Sequence, residues 1–128
     1  MFGDVWGWAG SFRTSQKNIG IDPWQIATEL GQLLGDLNAW IKYDTYPPDE
    51  IAARFHHRLA QIHPFPNGNG RHARLMTDLL LEQILNQPRF TWGRENLADT
   101  GETRNKYIAA LQAADQSDFT LLFQFVRT

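Results

Sequence analysis

From Asp22 to the C-terminus, apolar positions recur every three or four residues, in blocks separated by proline, glycine and polar stretches. Leu30, Leu34, Leu37 and Ile41 share one stripe, the spacing that one helix face requires. The block opens at Asp22-Pro23, a capping residue followed by proline at the first helical position, where a missing N–H loses no bond. Pro47-Pro48-Asp49-Glu50 predicts a second start, with an acidic first turn that suits the positive end of the helix dipole. Ile51, Phe55, Leu59 and Ile62 continue along its buried face, and the run leads directly into His63. A third helix is predicted to begin near Gly70. Its Ala73, Leu75, Met76, Leu79, Leu80, Leu81, Ile84 and Leu85 are apolar nearly all round, which predicts a place at the centre of a bundle.

Periodicity fades between Gln87 and Thr100, which reads as a loop. Tyr107, Ile108, Leu111 and Ala114 then predict a fourth helix, and Phe119, Leu122, Phe123 and Val126 a short last one. The pattern predicts an all-α fold in a single domain over residues 1–128, without internal repeats. Residues 10–21 stand apart. Phe12, Thr14 and Ile19 are of strand type, with Gly10 and Gly20 at the ends and Ser15-Gln16-Lys17-Asn18 as a polar tip, so this piece is a small β-hairpin or an irregular loop.

Composition narrows function more than fold. A formal net charge of -2 on 128 residues leaves no basic field of the kind that non-specific nucleic-acid binding uses. With no cysteine, disulfides and thiolate chemistry are excluded, which fits a reducing compartment. No apolar run reaches membrane-spanning length, and the first residues, MFGDVWGWAG, lack the basic segment and apolar core of a signal peptide. A cytoplasmic protein of bacterial type, with neither nucleic acid nor membrane as partner, is the expectation.

Residues 62–74 read IHPFPNGNGRHAR, and this stretch carries more than a chain reversal needs. One helix ends at Ile62 and the next begins around Asn69 to Arg71, so Gly68-Asn69-Gly70 falls at a helix N-terminus. Glycines there admit a ligand close to the backbone, and the first N–H groups and the dipole favour an anion. Arg71 and Arg74 are three residues apart, on one face of the first turns, where their forked donors suit successive phosphates. His63, with an ordinary pKa of roughly 6.5, has the chemistry of a general base for a hydroxyl. Each feature alone is also what a plain polar connection would hold; their coincidence in one loop argues for a site.

The run HPFPNGNGRHAR resembles the signature of the Fic family: His-Pro-Phe, any residue, an acid, Gly-Asn-Gly-Arg, two residues, then Arg. His63, Pro64, Phe65, Gly68, Asn69, Gly70, Arg71 and Arg74 match it. WAGSFR at residues 8–13 is similar to the segment that leads into the family's target-docking flap, and Glu102 to Ala114 resembles the helix flanking its adenine pocket. The wording is closest to a branch known as mobile mystery protein B. The chain begins partway into what members usually make a longer first helix, which implies a domain shortened at its N-terminus.

The resemblance implies a Fic-type helical bundle with a small β-hairpin flap at residues 10–21. It also implies transfer of AMP from ATP, with Mg²⁺, to a Ser, Thr or Tyr hydroxyl of a target protein. His63 would deprotonate the hydroxyl. Gly68, Asn69 and Gly70 would hold the α- and β-phosphates, Arg71 would pair the β-phosphate, and Arg74 would reach the γ-phosphate. Phe65 would anchor the loop, and Arg13, Thr14 and Ser15 would dock the target. An inhibitory helix or partner protein would be the regulator. One position departs from the pattern: the family's metal-binding acid is Asn67 here. An amide oxygen ligates a hard cation without supplying charge, which implies weaker metal binding. A non-catalytic nucleotide- or phosphopeptide-binding module, or transfer of another phosphate-containing group, therefore stays open beside adenylyl transfer.

Three further features have plainer readings. His56 and His63 share a helix face, but His57 points elsewhere and no carboxylate completes a metal set. Tyr107 has a ring suited to stacking on a base, but on an apolar stripe with Ile108 and Leu111 it reads as core with its hydroxyl at the edge. Thr91 to Asn96, TWGREN, fits the Ser/Thr-x-x-x-Glu-Gly/Asn pattern of the family's inhibitory helix, yet contains Gly93 and lies in a loop, so coincidence is the expectation.

Overall fold

The computed structural model describes residues 12, 14, 20–66, 68–94 and 100–128. A 3₁₀ turn at Pro23–Gln25 leads into helix α1 (Ile26–Lys42), followed by α2 (Pro48–Ile62), α3 (Asn69–Gln83), α4 (Thr100–Asp115) and α5 (Thr120–Val126). The helices begin close to where proline, capping and glycine signals place them. Asp22 makes no side-chain cap bond, so the entry to α1 depends on proline's fixed φ and on the Gln25 N–H to Asp22 carbonyl bond of 2.9 Å. No strand occurs among the described residues. The expected flap at 10–21 lies mostly outside them, as do Arg13 and Ser15.

Two expectations about packing change. The buried stripe of α1 is Ile26, Leu30, Leu33 and Leu37, while Leu34 and Ile41 are half-buried at its margin. The helix starts at Ile26, and steps of four, three and four from there select Leu33. The second change concerns the centre of the bundle. It is α2, packed against α1, α3 and α5, rather than the expected α3. Ala52 and Ala53, both fully buried, keep α2 slim enough for neighbours on several sides, whereas α3 leaves Leu75 and Leu79 half-buried and ends before an exposed Ile84. Phe55, Leu59 and Ile62 of α2 meet Met76, Leu80 and Leu81 of α3, and Leu122 and Val126 of α5, in one core. Because α2 is central, His63, which caps it, and the start of α3 are held against the core.

Candidate anion site at the start of helix α3

His63 caps α2 at φ 51°, in the left-handed region, with its N–H donating to Leu59 O at 3.2 Å. A single left-handed residue stops the helix and turns the chain without a glycine, and histidine tolerates that region better than most residues. The turn delivers Phe65 into the core, where it is 1% exposed and packs edge-on against His72 at 4.6 Å between ring centroids. Phe65 is thus the loop's buried anchor. It also lies 5.9 Å from the Phe12 ring.

Asn69 closes the loop. Its Oδ1 accepts the Phe65 N–H at 2.9 Å and its Nδ2 donates to the Phe65 carbonyl at 2.7 Å. The buried side chain of Asn69 therefore shapes the loop, and the part it offers an anion is its backbone N–H. Gly68 precedes it at φ 73°, a left-handed angle that glycine adopts freely. The first helical bond that closes is His72 N–H to Gly68 O at 3.0 Å; the N–H groups of Asn69, Gly70 and Arg71 come earlier, where a helix has no carbonyl of its own to offer.

These groups form one wall of a cleft of about 960 Å³. Gly68, Asn69, Gly70, Arg71 and Arg74 stand on that wall; Trp92, Gly93 and Arg94 face it from the loop after α3; Thr103, Arg104, Tyr107 and Ile108 face it from α4. The structure thus brings five of the expected site residues together. His63 lies outside the cleft lining, Thr14 is exposed near Trp24 on a separate shallow surface, and Asn67 lies outside the described residues.

The electrostatics are one-sided. Arg71, Arg74, Arg94 and Arg104 all line the cleft, and Asp78 is the one carboxylate among its described lining residues. Asp78 is buried and accepts the Trp92 indole N–H at 3.1 and 3.4 Å. Burial pushes its carboxyl above the usual range, opposed by the Trp92 bond and by Arg89 and Arg94, so its negative charge is discouraged. A polyanion entering the cleft meets far more positive than negative charge.

The histidines of α2 are committed to protein partners. His56 Nε2 is 2.7 Å from Tyr107 Oη, and His57 Nε2 is 2.8 Å from Asp115 Oδ1. Among the described residues no group of three or more His, Asp or Glu side chains is placed to hold a metal ion.

Of the far wall, only the α4 part was expected, through the resemblance of Glu102 to Ala114 to a helix flanking an adenine pocket; the loop after α3 was not. Thr91 to Arg94, the described part of the Thr91 to Asn96 stretch whose match to an inhibitory helix is expected to be coincidence, is a tight turn: Arg94 N–H donates to Thr91 O at 3.0 Å, with Trp92 at φ 53° and Gly93 at φ 77°. A Cβ on Gly93 would sit 2.7 Å from a Phe125 ring carbon. The available signal was Trp-Gly-Arg inside a loop, since a large aromatic beside glycine in an irregular segment marks a packed turn rather than a free one. Tyr107, expected in the core with its hydroxyl at the edge, is half-buried and lines the cleft.

Comparison with known proteins agrees with the geometry. A family model described as the Fic/DOC family matches residues 1–81. The chain is 31% identical over 122 residues to "Protein adenylyltransferase fic-1" of Caenorhabditis elegans, covering 92% of this chain and 22% of that protein. It is 29% identical over 120 residues to "Protein adenylyltransferase Fic" of Aedes aegypti, covering 91% and 22%. Among solved structures, Fic-1 from C. elegans superposes with a TM-score of 0.68 at 30% identity, covering 92% of this chain and 33% of that one. A substituted form of the same fragment gives 0.71, with 91% and 32% covered. The chain spans about a fifth of the length of these curated relatives.

Proposed function

This chain belongs to the Fic/DOC family, and on that premise we propose that it moves AMP from ATP to a Ser, Thr or Tyr hydroxyl of a target protein. The observation that carries the proposal is the cleft: a chain of net charge -2 gathers four arginines around a helix N-terminus with exposed glycines. That is a polyphosphate site by chemistry. The matched relatives named protein adenylyltransferases support ATP as the polyphosphate.

In this proposal the target oxygen attacks the α-phosphorus, a new O–P bond forms, the α–β anhydride bond breaks, and pyrophosphate departs. His63 takes the hydroxyl proton. The N–H groups of Asn69 and Gly70 receive charge on the α- and β-phosphates, while Arg71 and Arg74 hold the β- and γ-phosphates of the leaving group; preorganised donors of this kind provide most of the catalysis in phosphoryl-type transfer. Residues 10–21 act as the flap, with Arg13, Thr14 and Ser15 presenting the target segment. The contact between Phe12 and Phe65 supports that placement, because it ties the flap to the loop that carries His63.

The described residues do not build a cage for a resident metal, and Asn67 supplies no charge where family members have an acid. Mg²⁺ belongs to this proposal as the ion that ATP carries on its own phosphates. An inhibitory helix or a partner protein is the proposed regulator. The mobile mystery protein B branch and a bacterial cytoplasm are proposed as its setting; no helix among the described residues is long and apolar enough to cross a membrane.

Labelled ATP incubated with lysate, using wild type beside His63→Ala, tests the reaction. Loss of general-base catalysis lowers labelling by roughly 10²- to 10⁴-fold; equal labelling by both proteins would falsify the proposal. The rival, a binding module silenced by Asn67, separates on Asn67→Asp. Increased transfer identifies a weakened enzyme, and binding without turnover in both forms identifies the module. Mass spectrometry of a labelled target distinguishes AMP from any other transferred group.

A further inference from the structure

Tyr107 has a place in the cleft that the proposed chemistry leaves unused. Its ring centroid lies 5.8 Å from the Arg74 guanidinium carbon, and Arg74 beside its hydroxyl opposes the upward push of burial on the phenol's pKa. The same hydroxyl is 2.7 Å from His56 Nε2. His56 is fully buried, with Trp92 against its ring at 4.6 Å.

The direction of these bonds follows from the far side of the imidazole. Thr77 Oγ1 lies 3.4 Å from His56 Nδ1 and gives its own hydrogen to the Ala73 carbonyl at 2.7 Å. With its hydrogen given to that carbonyl, Thr77 Oγ1 faces Nδ1 as an acceptor, which assigns the ring hydrogen to Nδ1. A neutral imidazole then presents Nε2 as a bare acceptor, so the Tyr107 hydroxyl donates to it. Burial keeps the ring neutral, lowering its pKa to about 3. With its hydrogen spent on His56, Tyr107 has only lone pairs for Arg74, and the guanidinium has only hydrogens to give.

We propose that Tyr107, oriented by His56, is a positioning residue that holds the Arg74 guanidinium in place for the terminal phosphate of the nucleotide. This rests on Arg74 being a phosphate clamp, as set out above. Arginine otherwise loses considerable rotamer freedom on binding, and a guanidinium held in advance loses less. Gly70 completes the holder: a Cβ there would lie 3.3 Å from Arg74 Nη1, so the guanidinium rests over the first turn of α3, between a glycine and the Tyr107 ring.

Tyr107→Phe keeps the ring and removes the acceptor. Titration calorimetry of wild type, Tyr107→Phe, Arg74→Ala and the double variant with ATP and with ADP reads the effect. ATP affinity is expected to fall about five-fold in Tyr107→Phe while ADP affinity holds, and the loss is expected to vanish when Arg74 is already alanine. Equal losses for ATP and ADP, or the same loss without Arg74, assign Tyr107 a merely structural role and overturn the inference. Unchanged affinities overturn it as well. Wild type that binds neither nucleotide removes the phosphate-clamp assignment and this inference together. A wild-type measurement stands independently of whether the variants fold: imidazole ¹⁵N shifts are expected to show His56 protonated on Nδ1 and bare on Nε2, and the opposite tautomer reverses the Tyr107 hydroxyl and refutes the holder.

Discussion

The two walls of the cleft are made in different ways. The near wall, Gly68 to Arg74, is one contiguous stretch in which the backbone supplies the donors, glycine supplies access, and two arginines fall on one face because helical spacing puts them there. The far wall draws on Asp78, Trp92 to Arg94, Thr103 to Ile108 and Phe125, four places that meet only after folding. It is held by bonds between distant segments: Thr91 and Trp92 N–H both donate to Val126 O, at 2.9 and 3.2 Å, and Arg127 spans from the Asp49 carboxylate, at 2.7 and 2.9 Å, to the Arg89 carbonyl at 2.8 Å. A locally encoded wall brings its chemistry with it. A wall assembled by tertiary contacts can be lost through residues that never touch a ligand.

Breaking the far wall at its tightest point carries the largest expected effect. Gly93→Ala places a methyl into the Phe125 ring at 2.7 Å and into Thr103 at 3.1 Å, on a backbone at φ 77°. Overpacking and left-handed strain together are expected to lower stability by about 2–4 kcal/mol; a urea midpoint equal to wild type would show that the loop gives way freely. The corresponding break in the near wall is Asn69→Ala. It removes the two side-chain bonds to the buried Phe65 N–H and C=O, for an expected loss of about 2–3 kcal/mol. Denaturation reads the loss, and a nucleotide affinity that survives it unchanged would dissociate loop shape from anion binding.

Acid tests the support behind the far wall. Burial lowers the His56 pKa from 6.5 to about 3, so between those values the unfolded chain binds a proton that the folded chain does not. Stability is complete above the unfolded value and declines as pH falls through the window, by about 2 kcal/mol from pH 7 to pH 5 for His56 alone. His72, which burial lowers to about 4, acts in the same direction. Asp78, raised by burial, acts in the opposite one, gaining stability as pH falls. Urea unfolding at several pH values checks the sum, and a midpoint that rises on acidification would mean that Asp78 outweighs both histidines.

The smallest effect separates stability from binding. At Gly70 an added Cβ meets only the flexible end of Arg74, at 3.3 Å. Gly70→Ala should leave stability within about 1 kcal/mol of wild type, with helix propensity favouring alanine, while moving the Arg74 guanidinium and weakening ATP more than ADP. A variant that binds both nucleotides as wild type does would show that Arg74 is not held over the first turn.

Much of the molecule was legible one residue at a time. Pro23 and Pro48 marked helix starts because a locked φ acts before any tertiary contact exists. The rim from Gly68 to Arg74 was legible because the glycines and arginines that gather at this helix N-terminus are neighbours in sequence. The choice of Leu33 over Leu34, and of α2 over α3 as the hub, was not: both depend on which neighbours arrive and how closely small residues such as Ala52 and Ala53 let them approach. The role of Tyr107 was hidden for the same reason, since an aromatic on an apolar stripe has the same pattern whether its edge meets solvent, core or a cleft.

Sequence alone determined the helical period, the helix starts and the near wall, because backbone geometry acts over a few residues and needs no partner. Only the tertiary structure decided the far wall. Asp78, Trp92, Arg104 and Tyr107 come from segments whose separation along the chain leaves no local constraint between them. Packing around α2 brings these segments face to face, and burial then fixes His56 as a neutral acceptor for Tyr107.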